Sequence, residues 1–254
     1  MRHAADELRL MLMAVQYFTR LPVPRGLGYS DTRLNDAVRY FPLVGIVVGL
    51  LTGSVFLLAL RVFPQMLAVL LAMLAGVLLT GAFHEDGLAD TCDGFGGGWD
   101  KAQILAIMKD SRIGSYGALG LMLALALKSA ALAALPAAQF LPIAIAAHAW
   151  SRFMAVTVIA TQRYVRDDDT ARARPAAQNV SHAGLTCAAV FALAPVAGLG
   201  LTGMAGAATA FVLRLLLGKY FHRRIGGYTG DCLGAIQQVT EIGFYLGLLA
   251  WTSI

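Results

Sequence analysis

The chain has 254 residues, of which 58% are hydrophobic and only 14% are charged, and its formal net charge is +5. Soluble domains carry about a quarter charged residues, so this composition excludes an ordinary soluble protein and indicates an integral membrane protein with several spans. The basic residues are spread over several short loops and form no single patch, which excludes nucleic acid as a partner. The three cysteines have no paired spacing, so we predict neither a disulfide framework nor a zinc site.

The predicted elements begin with Ala4–Phe18, an apolar segment with charges near its start, which favours an amphipathic helix on the membrane surface. Apolar runs near the length of about 20 residues that a bilayer requires then follow. They predict about seven spans: Phe41–Leu60, Pro64–Phe83, Gly117–Leu135, Phe140–Thr161, Ala183–Leu201, a shorter Met204–Leu217, and a last one from Leu233 to Ile254. Because lipid cannot satisfy backbone groups, each span is expected to be helical. We therefore predict an all-α fold, a polytopic transmembrane helical bundle, with residues 1–254 as one domain.

The distribution of Lys and Arg predicts the orientation of these spans. With seven spans, 16 of the 20 Lys and Arg residues lie in the N-terminal arm and in the loops 84–116, 162–182 and 218–232, all on one side. The opposite loops contain only Arg61. Positively charged loops stay in the cytoplasm, so we expect a multi-pass protein of the cell inner membrane whose polar motifs face the cytoplasm.

An acidic segment, H-E-D-G-L-A-D-T-C-D-G-F-G-G-G, follows directly on the second predicted span. Its carboxylates Asp86, Asp90 and Asp93 fall at i, i+4 and i+7, so a helix would place all three on one face. Like charges this close repel each other unless a cation lies between them, and Mg²⁺ prefers carboxylate oxygens and recruits substrate phosphates. We predict that the three Asp residues are catalytic and bind Mg²⁺, with Glu85 as a further ligand and His84 as a catalytic or orienting group. The alternative is a solvated acidic loop that caps the second span.

A second motif, M-K-D-S-R-I-G-S-Y-G, lies just before the third span. Lys109 and Arg112 could neutralise phosphate oxygens, and Arg can do so through two parallel hydrogen bonds. Asp110 could ligate metal or hold Arg112, and Ser111 suits a turn whose amides face an anion. We predict a phosphate-binding loop here; the alternative is a basic anchor at the membrane interface.

A third motif, G-G-Y-T-G-D-C-L-G-A, opens the last predicted span. Its flexible glycines and oxygen-bearing side chains predict phosphate binding by Gly227, Thr229 and Gly230, and a metal role for Asp231 together with Glu241 further along the span. An acid within lipid is costly and usually faces a cavity or a partner. The alternative is a capping turn with Asp231 at the helix N-cap and Glu241 paired to Arg or Lys.

Arg152 lies near the middle of the fourth predicted span. A cation at that depth requires an acid, so we expect it to pair with the Asp86 cluster or with Glu241, and we include it among the candidate substrate-binding residues.

Over nearly its whole length the chain resembles the cobalamin synthase family. The motifs that carry the resemblance are T-R-L-P-V-P at Thr19–Pro24, F-P-L-V-G at Phe41–Gly45, F-H-E-D-G-L-A-D-T-C-D-G at Phe83–Gly94, M-K-D-S-R-I-G at Met108–Gly114 and G-G-Y-T-G-D-C-L-G-A at Gly226–Ala235.

The resemblance implies a late step of vitamin B12 assembly at the cytoplasmic membrane. The family joins adenosylcobinamide-GDP to α-ribazole, or to its 5′-phosphate, releases GMP and requires Mg²⁺. It also implies the lipid bilayer as the protein's environment and other cobalamin-assembly enzymes as candidate partners.

Two other functions remain open at this stage. The acidic motif is similar to that of the CDP-alcohol phosphotransferases, but their D-G-x-x-A-R continuation and second paired-Asp half are absent. A secondary transporter would explain several spans with charges inside them, but transporter sites usually lie at the membrane midplane, and these motifs gather on one face.

Overall fold

The computed structural model describes residues 2–24, 26–28, 30–166 and 178–253, and over these ranges the protein is all-α, as predicted. The α-helices are α1 (Arg2–Phe18), α2 (Asp31–Ala37), α3 (Phe41–Ala59), α4 (Gln65–Thr80), α5 (Phe83–Gly97), α6 (Lys101–Ile107), α7 (Ser115–Ala134), α8 (Phe140–Thr161), α9 (His182–Gly198), α10 (Gly200–Ile225) and α11 (Gly230–Thr252). Short 3-10 turns, Val38–Tyr40 and Ala137–Gln139, precede α3 and α8. Part of the predicted charged loop 162–182 lies outside the described residues.

An apolar helix stands at each of the seven predicted spans. By length and composition five stretches of the described chain could cross a membrane, or six if α4 and α5 are one bent span. α9 is a shorter apolar helix, which is why this count falls below about seven. The prediction of a short sixth span is wrong, because α10 has 26 residues and continues through a basic last turn formed by His222, Arg223 and Arg224.

Close helix crossings built on small residues hold the bundle together. Gly45 and Gly49 on α3 lie against the backbone of α8, and a Cβ at either position would overlap the main chain at His148 or at Ala144. Small residues at this spacing let two helix backbones approach within lipid, where packing replaces the hydrophobic effect. α8 is therefore fixed along the centre of the bundle, with most of its length buried.

A sharp elbow separates α4 from α5, and it places the acidic segment. Gly81 and Ala82 both adopt positive φ angles, of 66° and 59°, and the two helices meet at 89°. Gly81 is the left-handed C-cap of α4, a conformation that glycine adopts without a Cβ penalty. The acidic segment thus forms a separate helix, whose axis is nearly perpendicular to that of α4.

The crossing of α5 with α11 brings two of the predicted motifs together. A Cβ on Gly87 would lie 3.0 Å from the carbonyl oxygen of Asp231, and one on Gly234 would lie 3.1 Å from that of His84. The two glycines face each other, so the acidic helix and the start of the last span run almost in backbone contact.

Candidate active site

Three carboxylates gather where α5 crosses α11. Asp90 on α5 interacts electrostatically with both Asp231 on α11 and Asp86 one helical turn away. Asp86 is exposed and Asp90 is partly buried, so both are open to a ligand. The structure thus brings Asp231 of the third motif beside two acids of α5.

Arg166 is the cation that faces this cluster, and the sequence analysis missed it. Its Nη2 donates to Asp231 Oδ2 at 3.1 Å and to the carbonyl oxygen of Met108 at 3.3 Å. Its Nε is buried without a hydrogen-bond partner among the described residues. One guanidinium therefore ties the loop after α8 to Met108, at the start of the second motif, and to Asp231 in the third. In the sequence, Arg166 is one of several basic residues in the loop after α8. Nothing local distinguishes it from those neighbours as a residue of the site.

Asp93 is placed differently from Asp86 and Asp90. Its carboxylate accepts hydrogen bonds from the backbone amides of Gly114, at 2.7 Å, and Gly117, at 2.8 Å. A Cβ on either glycine would collide with that carboxylate, so the glycines at the start of α7 are required for this contact. Asp93 thus fixes the end of the second motif against the acidic helix.

In the second motif the alternative role of Asp110, holding Arg112, is the one observed. Arg112 donates from Nη2 to Asp110 Oδ2 at 2.6 Å and from Nε to both carboxylate oxygens at 3.0 and 3.1 Å. These bonds lower the pKa of Asp110 to about 2. A carboxyl group with a lowered pKa becomes protonated, and its ion pair is lost, only when the pH falls through that lowered pKa. The Asp110–Arg112 pair is therefore charged at neutral pH. The Arg112 side chain remains 87% exposed, and Lys109 and Ser111 are also exposed.

The third motif forms the turn that starts α11. Gly226 ends α10 with a φ of 84°, and Gly227 packs so closely on the carbonyl of Arg163 that no Cβ would fit. The N-cap of α11 is Thr229, whose hydroxyl accepts from the amide of Cys232 at 3.3 Å. The proposed capping role of Asp231 is therefore wrong. Thr229, as the N-cap, is fully buried, whereas Gly230 is partly exposed.

Glu241 lies apart from the acidic cluster, inside the bundle. Lys128 on α7 places its Nζ 2.7 Å from the carboxylate, and His148 places Nδ1 at 3.3 Å. Gln237 and Tyr245 donate to the same carboxylate, at 2.7 and 3.0 Å. The pairing with a basic residue that the sequence analysis held as its alternative is thus observed. Lys128 was missed as the partner, although a lone Lys in an apolar run was the available signal.

Arg152 forms no salt bridge with an acid among the described residues, although Glu241, one of its expected partners, and Glu85 interact with it electrostatically. Arg152 donates from Nη1 to the carbonyl oxygen of His148 at 3.0 Å, and its Nε has no partner. Glu85 accepts from Gln238 at 3.0 Å through Oε1, while Oε2 is buried and unpartnered. His84 is 3% exposed, and its Nε2 is likewise unpartnered.

These residues surround a cavity between the helices, which we call the polar cavity. Its empty volume, including the part that opens to solvent, is about 550 Å³, and its polar lining includes Glu85, Lys128, His148, Arg152, Gln238 and Glu241. His84 and Arg152 form part of the wall of a second cavity as well. The structure therefore places His84 and Arg152 in the interior, whereas Asp86 is exposed.

The six carboxylates predicted as metal ligands do not form one site. Among the described residues no group of three or more His, Cys, Asp or Glu side chains could hold a metal ion. Mg²⁺ is commonly held by one or two carboxylates together with substrate phosphates. Asp86 and Asp90 supply such a donor set, and beside Asp231 they form a cluster of three acids that Arg166 alone does not neutralise. The residues present therefore fit a Mg²⁺ ion whose coordination is completed by substrate.

Comparison with known proteins identifies the family of this chain. A model of the cobalamin-5-phosphate synthase family matches residues 10–249. A protein of Shewanella frigidimarina (strain NCIMB 400) named adenosylcobinamide-GDP ribazoletransferase is 48% identical, over 96% of this chain and 95% of its own length. A protein of Shewanella sp. (strain W3-18-1) with the same name is 49% identical, over 98% and 96%. No solved structure matches the chain. Because the family model covers almost the whole chain, the protein belongs to the cobalamin-5-phosphate synthase family.

Proposed function

We propose that this protein is a membrane-embedded transferase that joins adenosylcobinamide-GDP to α-ribazole, or to its 5′-phosphate, and releases GMP. The names of its relatives support this reaction. The observation that carries the proposal is the contact of Arg166 with both Asp231 and the Met108 carbonyl. This contact joins the acids to the backbone just before Lys109, so we propose that metal-binding acids and phosphate-binding cations act together there, as phosphoryl transfer requires.

The proposed reaction is a displacement at phosphorus. A hydroxyl oxygen of the ribazole forms a bond to the phosphorus on the corrinoid side of the pyrophosphate. The bond from that phosphorus to the bridging oxygen breaks, and GMP leaves with the bridging oxygen. The hydroxyl proton passes to a base, and the corrinoid and the ribazole remain joined through a phosphodiester.

The exposed residues of the site divide into two groups by charge. Asp86 and Asp90 would hold Mg²⁺, which neutralises pyrophosphate charge when bound. Lys109 and Arg112 would bind non-bridging phosphate oxygens, and Arg112 is already oriented by Asp110. Asp93 acts indirectly, as a positioning residue, because its carboxylate holds the backbone amides at the start of α7 beside the acidic helix.

The base that accepts the hydroxyl proton is proposed to be a carboxylate of α5. Asp86 is exposed and Asp90 partly buried, so either could reach a substrate hydroxyl. His84 is the other candidate that the sequence raises, but its ring is buried and stacks on Phe18 at a centroid distance of 5.5 Å. This burial favours a carboxylate.

We also propose that the site faces the cytoplasm from the cell inner membrane. The basic residues of the α5–α7 region and of the last turn of α10 lie on the same face as the acids, and Arg224 of that turn donates to the carbonyl oxygen of Gly98 at 2.8 Å. The positive-inside rule assigns such a face to the cytoplasm.

The assay uses purified protein in lipid nanodiscs with labelled adenosylcobinamide-GDP, α-ribazole and Mg²⁺. The expected result is a corrinoid product that contains ribazole, formed in equal amount to GMP and suppressed by EDTA. Parallel reactions replace the corrinoid with a CDP-alcohol, or omit ribazole. Turnover of the CDP-alcohol, or GMP release without ribazole, would contradict the proposal.

A further inference from the structure

A second cavity lies beside the acidic helix and differs in character from the polar cavity. We call it the aromatic cavity; its empty volume, including the part that opens to solvent, is about 470 Å³. The rings that line it come from the end of α1, the start of α3 and the start of α5, and they are Tyr17, Phe18, Phe41 and Phe83. The rest of the wall is mostly aliphatic, apart from His84, Arg152 and Gln237.

The rings form one continuous cluster. Phe18 meets Phe41 edge-on at 4.4 Å between centroids, and Phe83 edge-on at 5.6 Å. Such arrangements present both ring faces and ring edges to a cavity, and they favour a flat aromatic guest that adds further contacts of the same kind.

Two buried polar groups interrupt this apolar wall. Arg152 and His84 are each 3% exposed, and Arg152 Nε and His84 Nε2 both lack a hydrogen-bond partner among the described residues. A buried donor left without a partner is destabilising, so a ligand that pairs with it is favoured. Arg152 Nε carries a hydrogen and no lone pair for bonding, so its partner must be an acceptor.

The cavity therefore suits a planar, largely apolar ring with an acceptor atom on its edge. We infer that the aromatic cavity binds the azole ring of the ribazole, with a ring nitrogen accepting from Arg152 or His84. This inference rests on the proposed function and extends it to the recognition of the second substrate. When one nitrogen of a diazole carries ribose, the other keeps its lone pair as an acceptor. A lipid acyl chain would fill the same space but offers no acceptor.

The position of the cavity agrees with this role. Gly230 and Leu233 of α11 form part of its wall, and Asp231 between them faces the acidic cluster on α5. A ring bound in the cavity would thus leave its ribose at the start of α11, beside the carboxylates that are proposed to activate its hydroxyl.

The test fills the cavity without touching the acids. Ala155 on α8 lines the aromatic cavity and is 8% exposed, so Ala155→Leu removes space for a ring. Ala72→Leu is the matched control, because Ala72 is 2% exposed and lines the polar cavity only. Benzimidazole riboside and the smaller imidazole riboside serve as acceptors, and both binding by equilibrium dialysis and steady-state kinetics are measured.

We expect Ala155→Leu to raise Kd and KM for benzimidazole riboside at least tenfold, to raise those for imidazole riboside much less, and to leave KM for adenosylcobinamide-GDP unchanged. Ala72→Leu should leave Kd and KM unchanged for both acceptors. Equal losses for the two acceptors, or equal losses for acceptor and corrinoid, would overturn the assignment. If Ala155→Leu does not accumulate in the membrane, Phe18→Leu replaces it, and the same selective loss of acceptor binding is expected.

The dialysis separates this inference from the proposed function. A parent protein that binds benzimidazole riboside selectively but makes no product would refute the transferase reaction and retain the cavity assignment. A parent that makes product, with acceptor binding indifferent to Ala155→Leu and to Phe18→Leu, would retain the reaction and refute the cavity.

Discussion

At the scale of single residues, the carboxylates of the acidic motif have different contacts, although their spacing in the sequence makes them look equivalent. Asp86 is exposed and unpaired in the described structure, whereas Asp93 is engaged by two backbone amides. A carboxylate that is free to bind a ligand and one that organises a loop respond differently to the same substitution.

Asp86→Asn and Asp93→Asn should therefore have different effects on activity and on stability. Asp86→Asn removes a proposed metal ligand, so activity should nearly vanish while thermal stability in detergent is unchanged. Asp93→Asn keeps an oxygen for one of the two backbone donors but turns an amide NH₂ toward the other, which should cost about 1–3 kcal/mol of stability. Unfolding temperature and turnover of both variants are compared with those of the parent. Near-normal turnover by Asp86→Asn, or an unaltered unfolding temperature for Asp93→Asn, would refute the respective role.

Arg112 distinguishes a phosphate clamp from a membrane anchor. An anchor needs only positive charge, whereas a clamp uses the planar fork that Lys lacks. We expect Arg112→Lys to lower kcat/KM for adenosylcobinamide-GDP at least about tenfold, near the 1.4 kcal/mol of one charge-assisted hydrogen bond. Arg61→Lys, in a loop far from the motifs, is the control and should behave like the parent. Parental turnover by Arg112→Lys would assign the motif to anchoring.

At the scale of helices, the site depends on how closely α5 approaches α11. A Cβ on Gly87 would lie 3.0 Å from the carbonyl oxygen and 3.1 Å from the Cα of Asp231, both of them main-chain atoms that cannot rotate away. The helices would separate by a few tenths of an ångström. Because phosphoryl transfer relies on positioning, small displacements of this kind are costly.

Gly87→Ala should accordingly reduce kcat by about tenfold or more, in a protein that still inserts in the membrane. Gly198→Ala is the matched control, since a Cβ there would meet nothing within 4 Å and should leave kcat unaltered. Quantifying membrane-inserted protein alongside GMP release checks both outcomes. Equal activity of the two variants would show that the close crossing is not needed.

A different contact joins α7 to α11 deeper in the bundle, where Lys128 meets Glu241 at 2.7 Å. Removing one member of a buried pair leaves an uncompensated charge and costs about 3–5 kcal/mol, whereas replacing both by apolar residues is often neutral. Glu241→Gln should lower the unfolding temperature strongly, and the double variant Lys128→Met with Glu241→Met should recover part of it, because His148, Gln237 and Tyr245 still lose their contacts with Glu241. No recovery at all would show that the loss comes from these other contacts and not from the unpaired charge of Lys128.

At the scale of the whole molecule, the sequence predicts what hydropathy and residue spacing encode. The seven apolar helices, the all-α class and the family follow from runs and motifs that are local in the chain. The right-angled elbow could not be predicted, because it requires Ala82, an ordinary residue, to adopt a positive φ. The partners of Asp93 and Glu241, which are Gly114 and Lys128, could not be predicted either. They lie 21 and 113 residues away in sequence, and only tertiary packing brings them together.

The orientation in the membrane is a property of the whole molecule, and the basic loops determine it. The positive-inside rule predicts that the start of α7 faces the cytoplasm and that the turn between α3 and α4 faces the opposite side. Ser115 is exposed at the start of α7, and Val62 is 75% exposed in that turn, so each is accessible as a single cysteine. Both are introduced after replacement of the native Cys92, Cys187 and Cys232.

An impermeant maleimide added to spheroplasts should label Val62→Cys at once and Ser115→Cys only after the membrane is permeabilised. The reason is electrostatic, because the loops on the side of Ser115 carry most of the basic residues, and moving them across the bilayer against the membrane potential is unfavourable. Labelling of both sites after permeabilisation controls for local accessibility. The reverse order would place the acidic cluster outside the cytoplasm, away from nucleotide-activated substrates, and the proposed reaction would then lose its supply of adenosylcobinamide-GDP.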